Sequence, residues 1–169
     1  MSKPGNALSK LRSKLPSTSA LLSLSAIGLV VFMVGLPSLR NFAIKQNEID
    51  ALRVVVALGK ASFSPASNAS TALADLLVQH PDLKHRFGDL EYLDEFGLLR
   101  AHGYLFELTD IDGNLSLTAW PWSHQRTGRS AFRYRPDGKI LANVNDRGLW
   151  SGCRPTSEAR ALRTWQELR

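Results

Sequence analysis

Few side chains in this sequence have the types and spacing that chemistry requires. Asp110, Asp112 and Asn114 alternate oxygen donors in the way that opens a calcium loop. A complete loop needs a further carboxylate near the twelfth position, and counted from Asp110 that position is Pro121, so a polar hairpin turn is the plainer expectation. Asp146 reads the same way. Arg126, Arg129, Arg133 and Arg135 are interleaved with Phe132 and Tyr134. Cations alternating with aromatic rings can follow a phosphate backbone, which makes these arginines candidate polyanion-binding residues. The same alternation makes a strand with one solvated face, and acid is nearby in sequence between Asp82 and Glu95, so solvation or internal pairing is favoured and nucleic acid is not.

His80, His85, His102 and His124 are scattered, and no HExxH register, zinc spacing, phosphate-binding glycine loop or nucleophile elbow occurs. Cys153 is the single cysteine, which rules out an intramolecular disulfide and a thiolate cluster; a buried, inert thiol is expected. No catalytic, cofactor-binding or metal residue is assigned, no cofactor is implied, and the chain is expected not to be an enzyme. Trp120-Pro121-Trp122 reads equally well as an exposed patch or as cover for a sheet edge.

With 169 residues the chain has room for one ordinary domain and a short anchor, not two large domains. The net charge is +6, but it is unevenly placed. Residues 1–40 carry Lys3, Lys10, Arg12, Lys14 and Arg40 with no acid, leaving 16 basic and 15 acidic groups for the rest. The basic character therefore belongs to the N-terminal tail.

Residues 19–39 contain no charged side chain, and at 1.5 Å per residue such a stretch matches the roughly 30 Å of bilayer hydrocarbon. A secretory signal would have a shorter apolar core and a clearer small-residue cleavage site than residues 35–40 (GLPSLR) offer. A membrane anchor is expected over residues 19–39, with Leu21, Leu22, Leu24, Ile27, Gly28, Val31, Phe32, Gly35 and Pro37 as its spanning or assembly residues. Four basic residues precede it, against Arg40 and Lys45 just after it, so the leader (1–18) should stay in the cytoplasm and residues 40–169 should be exported. Ser23 and Ser25 are tolerable there because a hydroxyl can bond back to a carbonyl one turn earlier.

Residues 41–60 lack a breaker until Gly59, and Ile44, Ile49, Leu52, Val55, Val56 and Ala57 recur at helical intervals, so the apolar helix should continue as an amphipathic one, giving one rod of about 40 residues. A linker at 62–68 and a second helix at 70–80, with Leu73, Leu76, Leu77 and Val78 as its apolar side, follow. Residues 82–100 read as one or two short helices broken at Gly88 and Gly97. From Gly103 the period becomes two, which predicts strands at 104–109, 115–120, 130–135 and 140–144 with turns at 110–114 and 136–138. Residues 156–169 read as a capped helix with Leu162, Trp165 and Leu168 on one side. The expected fold class is α+β: a long transmembrane-plus-amphipathic helix packed on a small antiparallel sheet of about four strands.

This order resembles the type IV pilin-like proteins, in particular the pseudopilins of type II secretion. Residues 28–40 (GLVVFMVGLPSLR) look like the family's helix, with a glycine midway and a proline about two turns later. Residues 103–108 (GYLFEL), Ala119-Trp120-Pro121, Thr127-Gly128, Phe132 and Asp137-Gly138-Lys139-Ile140 are similar to the strands and turns of pilin-like sheets. The chain departs from the family at residues 15–21 (LPSTSAL), which have neither the glycine where a prepilin peptidase cuts nor the glutamate five residues beyond it; Gly5 is too far upstream to stand in. The departure bears on leader removal and on filament entry, since that glutamate pairs with a neighbouring subunit's N-terminus.

The resemblance implies a bacterial inner-membrane, single-pass subunit with a periplasmic or extracellular domain, structural or accessory to a secretion or pilus-type apparatus. Its partners would be lipid and other pilin-like or secretion-apparatus subunits. A tethered periplasmic binding or sensing module that never polymerises is the alternative.

Overall fold

The computed structural model describes residues 18–64, 72–111, 114–161 and 164–168. The leader expected at 1–18 therefore lies, but for Thr18, outside the described residues. Two compact units make up the chain, Met1–Arg40 and Asn41–Arg169. One helix, α1 (Thr18–Ser62), contributes residues to both, with Pro37 inside it. Uninterrupted helix fits a sequence with no further breaker and many residues of high helix propensity before Gly59.

In the second unit α1 is followed by α2 (Leu73–Gln79), α3 (Pro81–Phe87), strands β1 (Glu91–Leu93), β2 (Leu98–Ala101), β3 (Tyr104–Ile111), β4 (Asn114–Pro121), β5 (Ala131–Tyr134) and β6 (Ile140–Asn143), then α4 (Ser157–Ala161) and β7 (Gln166–Glu167). The strands form one antiparallel meander in chain order. Sharp turns set the register: His102 and Gly103, both at positive φ, make the two-residue turn between β2 and β3, and Gly138 at φ +81 closes the β5–β6 turn. The four expected strands are present, but among the described residues the sheet has seven. Leu93 and Leu98 pair where helix was expected, and residues 166–167 form a strand where the C-terminal helix was expected; of that helix α4 remains, and Leu162 lies outside the described residues.

Both sheet faces are covered. On the first, Ala51, Val54, Val55 and Leu58 of α1 pack with Leu99, Tyr104, Phe106, Leu117, Phe132 and Tyr134. Each such fully buried aliphatic side chain contributes about 1.5–3 kcal/mol. The helical period was legible and its phase in part: Ile44 and Val55 are buried as expected, but Ile49 is 47 % exposed, and Ala51, Val54 and Leu58 also turn inward. In α2, Leu73 and Leu76 are buried while Val78 points to solvent. Gly59 and Gly128 have no room for a Cβ, because the rings of Tyr134 and Tyr104 respectively lie against them.

On the second face Leu98, Leu105, Trp120 and Ala131 meet Trp150 and Ala159, with Leu93 and Trp165 at the margin. The cover is held by polar bonds. Asn145, at φ 52, accepts from the Trp150 N–H and donates to the Trp150 carbonyl (2.9 and 2.8 Å), and Trp120 Nε1 donates to the Gly152 carbonyl at 2.8 Å.

Candidate functional site

In the first unit the residues expected to meet lipid stand on α1. Leu22, Ile27, Val31 and Phe32 are each 60–70 % exposed, and Gly28 and Pro37 are exposed as well, with Gly35 half-buried. Leu21 and Leu24 lie on the same helix; their side chains are outside the described ones. Among the described residues this is one helix long and apolar enough to cross a membrane. Ser25 Oγ donates to the Leu22 carbonyl at 2.9 Å, the back-bond that lets a hydroxyl sit in hydrocarbon. Added Cβ atoms at Gly28 and Gly35 would meet nothing within 4 Å.

The four arginines do not make one surface. Arg126 is exposed in the β4–β5 loop. Arg129, also exposed, donates from Nη2 to Asn41 Oδ1 at 2.8 Å, and its backbone N–H and that of Ser130 both donate to Glu48 Oε1 on α1 at 2.8 and 2.9 Å. That shared carboxylate fastens the start of β5 to the helix. Tyr104 completes the joint: its hydroxyl donates to the Ser130 carbonyl at 3.0 Å, and burial, with the Glu48 charge adding, pushes its pKa well above the usual value near 10.

Arg133 and Arg135 lie two residues apart and so share the second sheet face. Arg135 pairs with Asp137 at 3.5 Å. Arg126, Arg129 and Arg135 are exposed, whereas Arg133 is half-buried. Its guanidinium lies 4.1 Å from the centre of the Trp165 ring, and Nε donates to Thr118 Oγ1 at 3.3 Å. Burial pulls its pKa down to about 10, with the Arg135 charge adding. None of the four arginines pairs with acid from Asp82 to Glu95; Glu91 of that stretch pairs with Arg100. A cleft of about 390 Å³ beside the β5–β6 turn is lined by Arg133, Arg135, Asp137, Leu115, Pro136 and Leu141, among others. Sequence reasoning marked the two arginines but not their separation from Arg126 and Arg129, because nothing local told which face of β5 another element covers.

The remaining candidates are apart. Asp110 is the penultimate residue of β3 and Asn114 the first of its partner β4, while Asp112 lies outside the described residues. Among the described residues no group of three or more His, Cys, Asp or Glu could hold a metal. Cys153 is half-buried rather than buried. Trp120 is fully buried and Trp122 is 36 % exposed beneath Arg100, so the pair divides between core and surface. No family model, curated protein or solved structure matches the chain.

Proposed function

We propose that the chain is a membrane-anchored, non-enzymatic, pilin-like subunit, structural or accessory to a bacterial type II secretion or type IV pilus-like apparatus. One observation carries this reading: a single 45-residue helix is apolar through Leu39, with most of its described side chains from Leu22 to Leu39 exposed, and supplies Ala51, Val54, Val55 and Leu58 to the core of an antiparallel sheet. An apolar stretch and a core-forming stretch on one helix suit a subunit that works by helix packing within the membrane and by sheet contacts outside it. The basic leader orients the span with its N-terminus in the cytoplasm. Crosslinking in membranes tests the reading. The full-length chain should be recovered in the membrane fraction joined to secretion or pilin-like components, and recovery alone and soluble would overturn it.

The second reading, a tethered module that binds or senses a ligand and does not polymerise, is favoured by residues 15–21, which lack the family's cleavage glycine and glutamate. Without that carboxylate a helix enters lipid more easily and has no handle for a neighbour's N-terminus. A pull-down that returns an envelope ligand and no pilin-like partner would select it.

A further inference from the structure

We propose that the cleft beside the β5–β6 turn binds a small organic carboxylate with an apolar body, held by Arg133. The inference goes beyond the membrane reading and stands whether or not the chain assembles with other subunits.

Arg53, Arg100, Arg135, Arg147 and Arg160 each meet a carboxylate, and all five are at least 45 % exposed. Arg133 is half-buried, and among the described residues no acid lies within salt-bridge distance of it. Its Nε is satisfied by Thr118, while Nη2 is buried without a hydrogen-bond partner. A guanidinium drawn out of water without a counter-ion is an unfavourable arrangement that a bound anion relieves. The ring of Trp165 over one side and the bond to Thr118 fix its plane, so little further order is lost when a ligand arrives.

Charge and shape narrow the ligand. Arg135 is balanced by Asp137 at 3.5 Å, so among the described residues lining the cleft Arg133 leaves one positive charge without a paired acid. That suits a monoanion and disfavours a phosphate dianion, which would also face the Asp137 carboxylate. With Nε bonded to Thr118 and Nη2 closed off, Arg133 offers the cleft its charge and not a two-nitrogen fork, and a carboxylate can meet that charge through one oxygen. Leu115, Pro136 and Leu141 supply apolar wall, and about 390 Å³ is at the small end of ligand sites, which run from roughly 300 to 1,000 Å³.

Isothermal titration of the detergent-solubilised full chain with isovalerate, isoamyl alcohol, isoamylamine and inorganic phosphate tests this. Isovalerate should bind saturably, and the other three should not. Arg133→Gln should weaken isovalerate by about tenfold or more, the loss of one charge-assisted pair, and Arg126→Gln should leave it unchanged. Should Arg133→Gln fail to fold, Asp137→Asn, at an exposed turn, should tighten isovalerate several-fold, and the Arg133 Nε resonance of the wild-type chain should shift on titration. Absence of isovalerate binding, equal binding of the alcohol or amine, a preference for phosphate, or a response that ignores Arg133 and Asp137 would overturn the proposal.

Discussion

Gly59 of α1 lies directly against the ring of Tyr134 on β5, and the helix reaches the sheet only because no Cβ stands between them. Tyr134 in turn stacks with Phe63, 6.1 Å away and almost parallel, so the end of the helix and the middle of the meander share one aromatic contact. Gly59→Ala should therefore destabilise the domain. Overpacking costs about 1–3 kcal/mol, and the better helix propensity of alanine returns about 1 kcal/mol. Thermal unfolding of the full chain in detergent, followed by near-ultraviolet circular dichroism, should show a lower midpoint for Gly59→Ala and none for Gly35→Ala, where a Cβ would meet nothing within 4 Å.

Tyr104 should make stability depend on alkaline pH. Its phenol has a raised pKa when folded, through burial and the Glu48 charge, so its contribution is complete below about pH 10 and is lost as pH climbs above that value. Tyr104→Phe removes the hydrogen bond to the Ser130 carbonyl and should cost about 0.5–1.5 kcal/mol at neutral pH. The gap between the wild type and Tyr104→Phe should narrow above pH 10, when unfolding is measured at a series of pH values.

Glu48→Ala should strand the backbone N–H groups of Arg129 and Ser130, for a loss of about 1–3 kcal/mol. Glu48→Gln keeps an acceptor oxygen and should lose less. Urea unfolding midpoints of the two variants check the order.

Asn145→Ala removes both bonds to the Trp150 backbone and places a residue with a β-carbon but no amide at φ 52. The expected loss is about 2–4 kcal/mol, with a weakened near-ultraviolet signal from the Trp120–Trp150 pair, whose rings lie 5.8 Å apart. Asn145→Gly, free of the backbone strain, should recover part of the stability and none of the bonds.

Strands β3 to β6 were legible because alternation over at least four residues, bounded by His-Gly or Pro-Asp-Gly turns, is a local signal. Strands β1 and β2 were not, since three or four residues beside Asp94, Glu95 and Gly97 carry too little period to separate strand from helix. Leu162, Trp165 and Leu168 sit at helical spacing, yet β7 pairs with β6 and turns Trp165 onto Trp150 and Arg133. Tertiary contact decides that segment, and local pattern does not contain it. The run Val54-Val55-Val56 likewise hid part of the phase of α1: Val55 was placed on the buried side and Val54, equally buried, was not, since valine is apolar whichever way it faces. For the arginines, types and order were readable, but the cover over Arg133 comes from a residue 32 positions later in the chain.

Thiol labelling in intact spheroplasts tests the membrane anchorage most directly. Cys153→Ser removes the native thiol, and Val144→Cys adds one at a site 67 % exposed on the domain. A membrane-impermeant maleimide should label this chain in unbroken spheroplasts, and the labelled chain should pellet with the membranes after lysis in alkaline carbonate. A thiol that reacts only once the cells are broken, or a labelled chain left in the carbonate supernatant, would contradict an exported domain held by a helix in the bilayer.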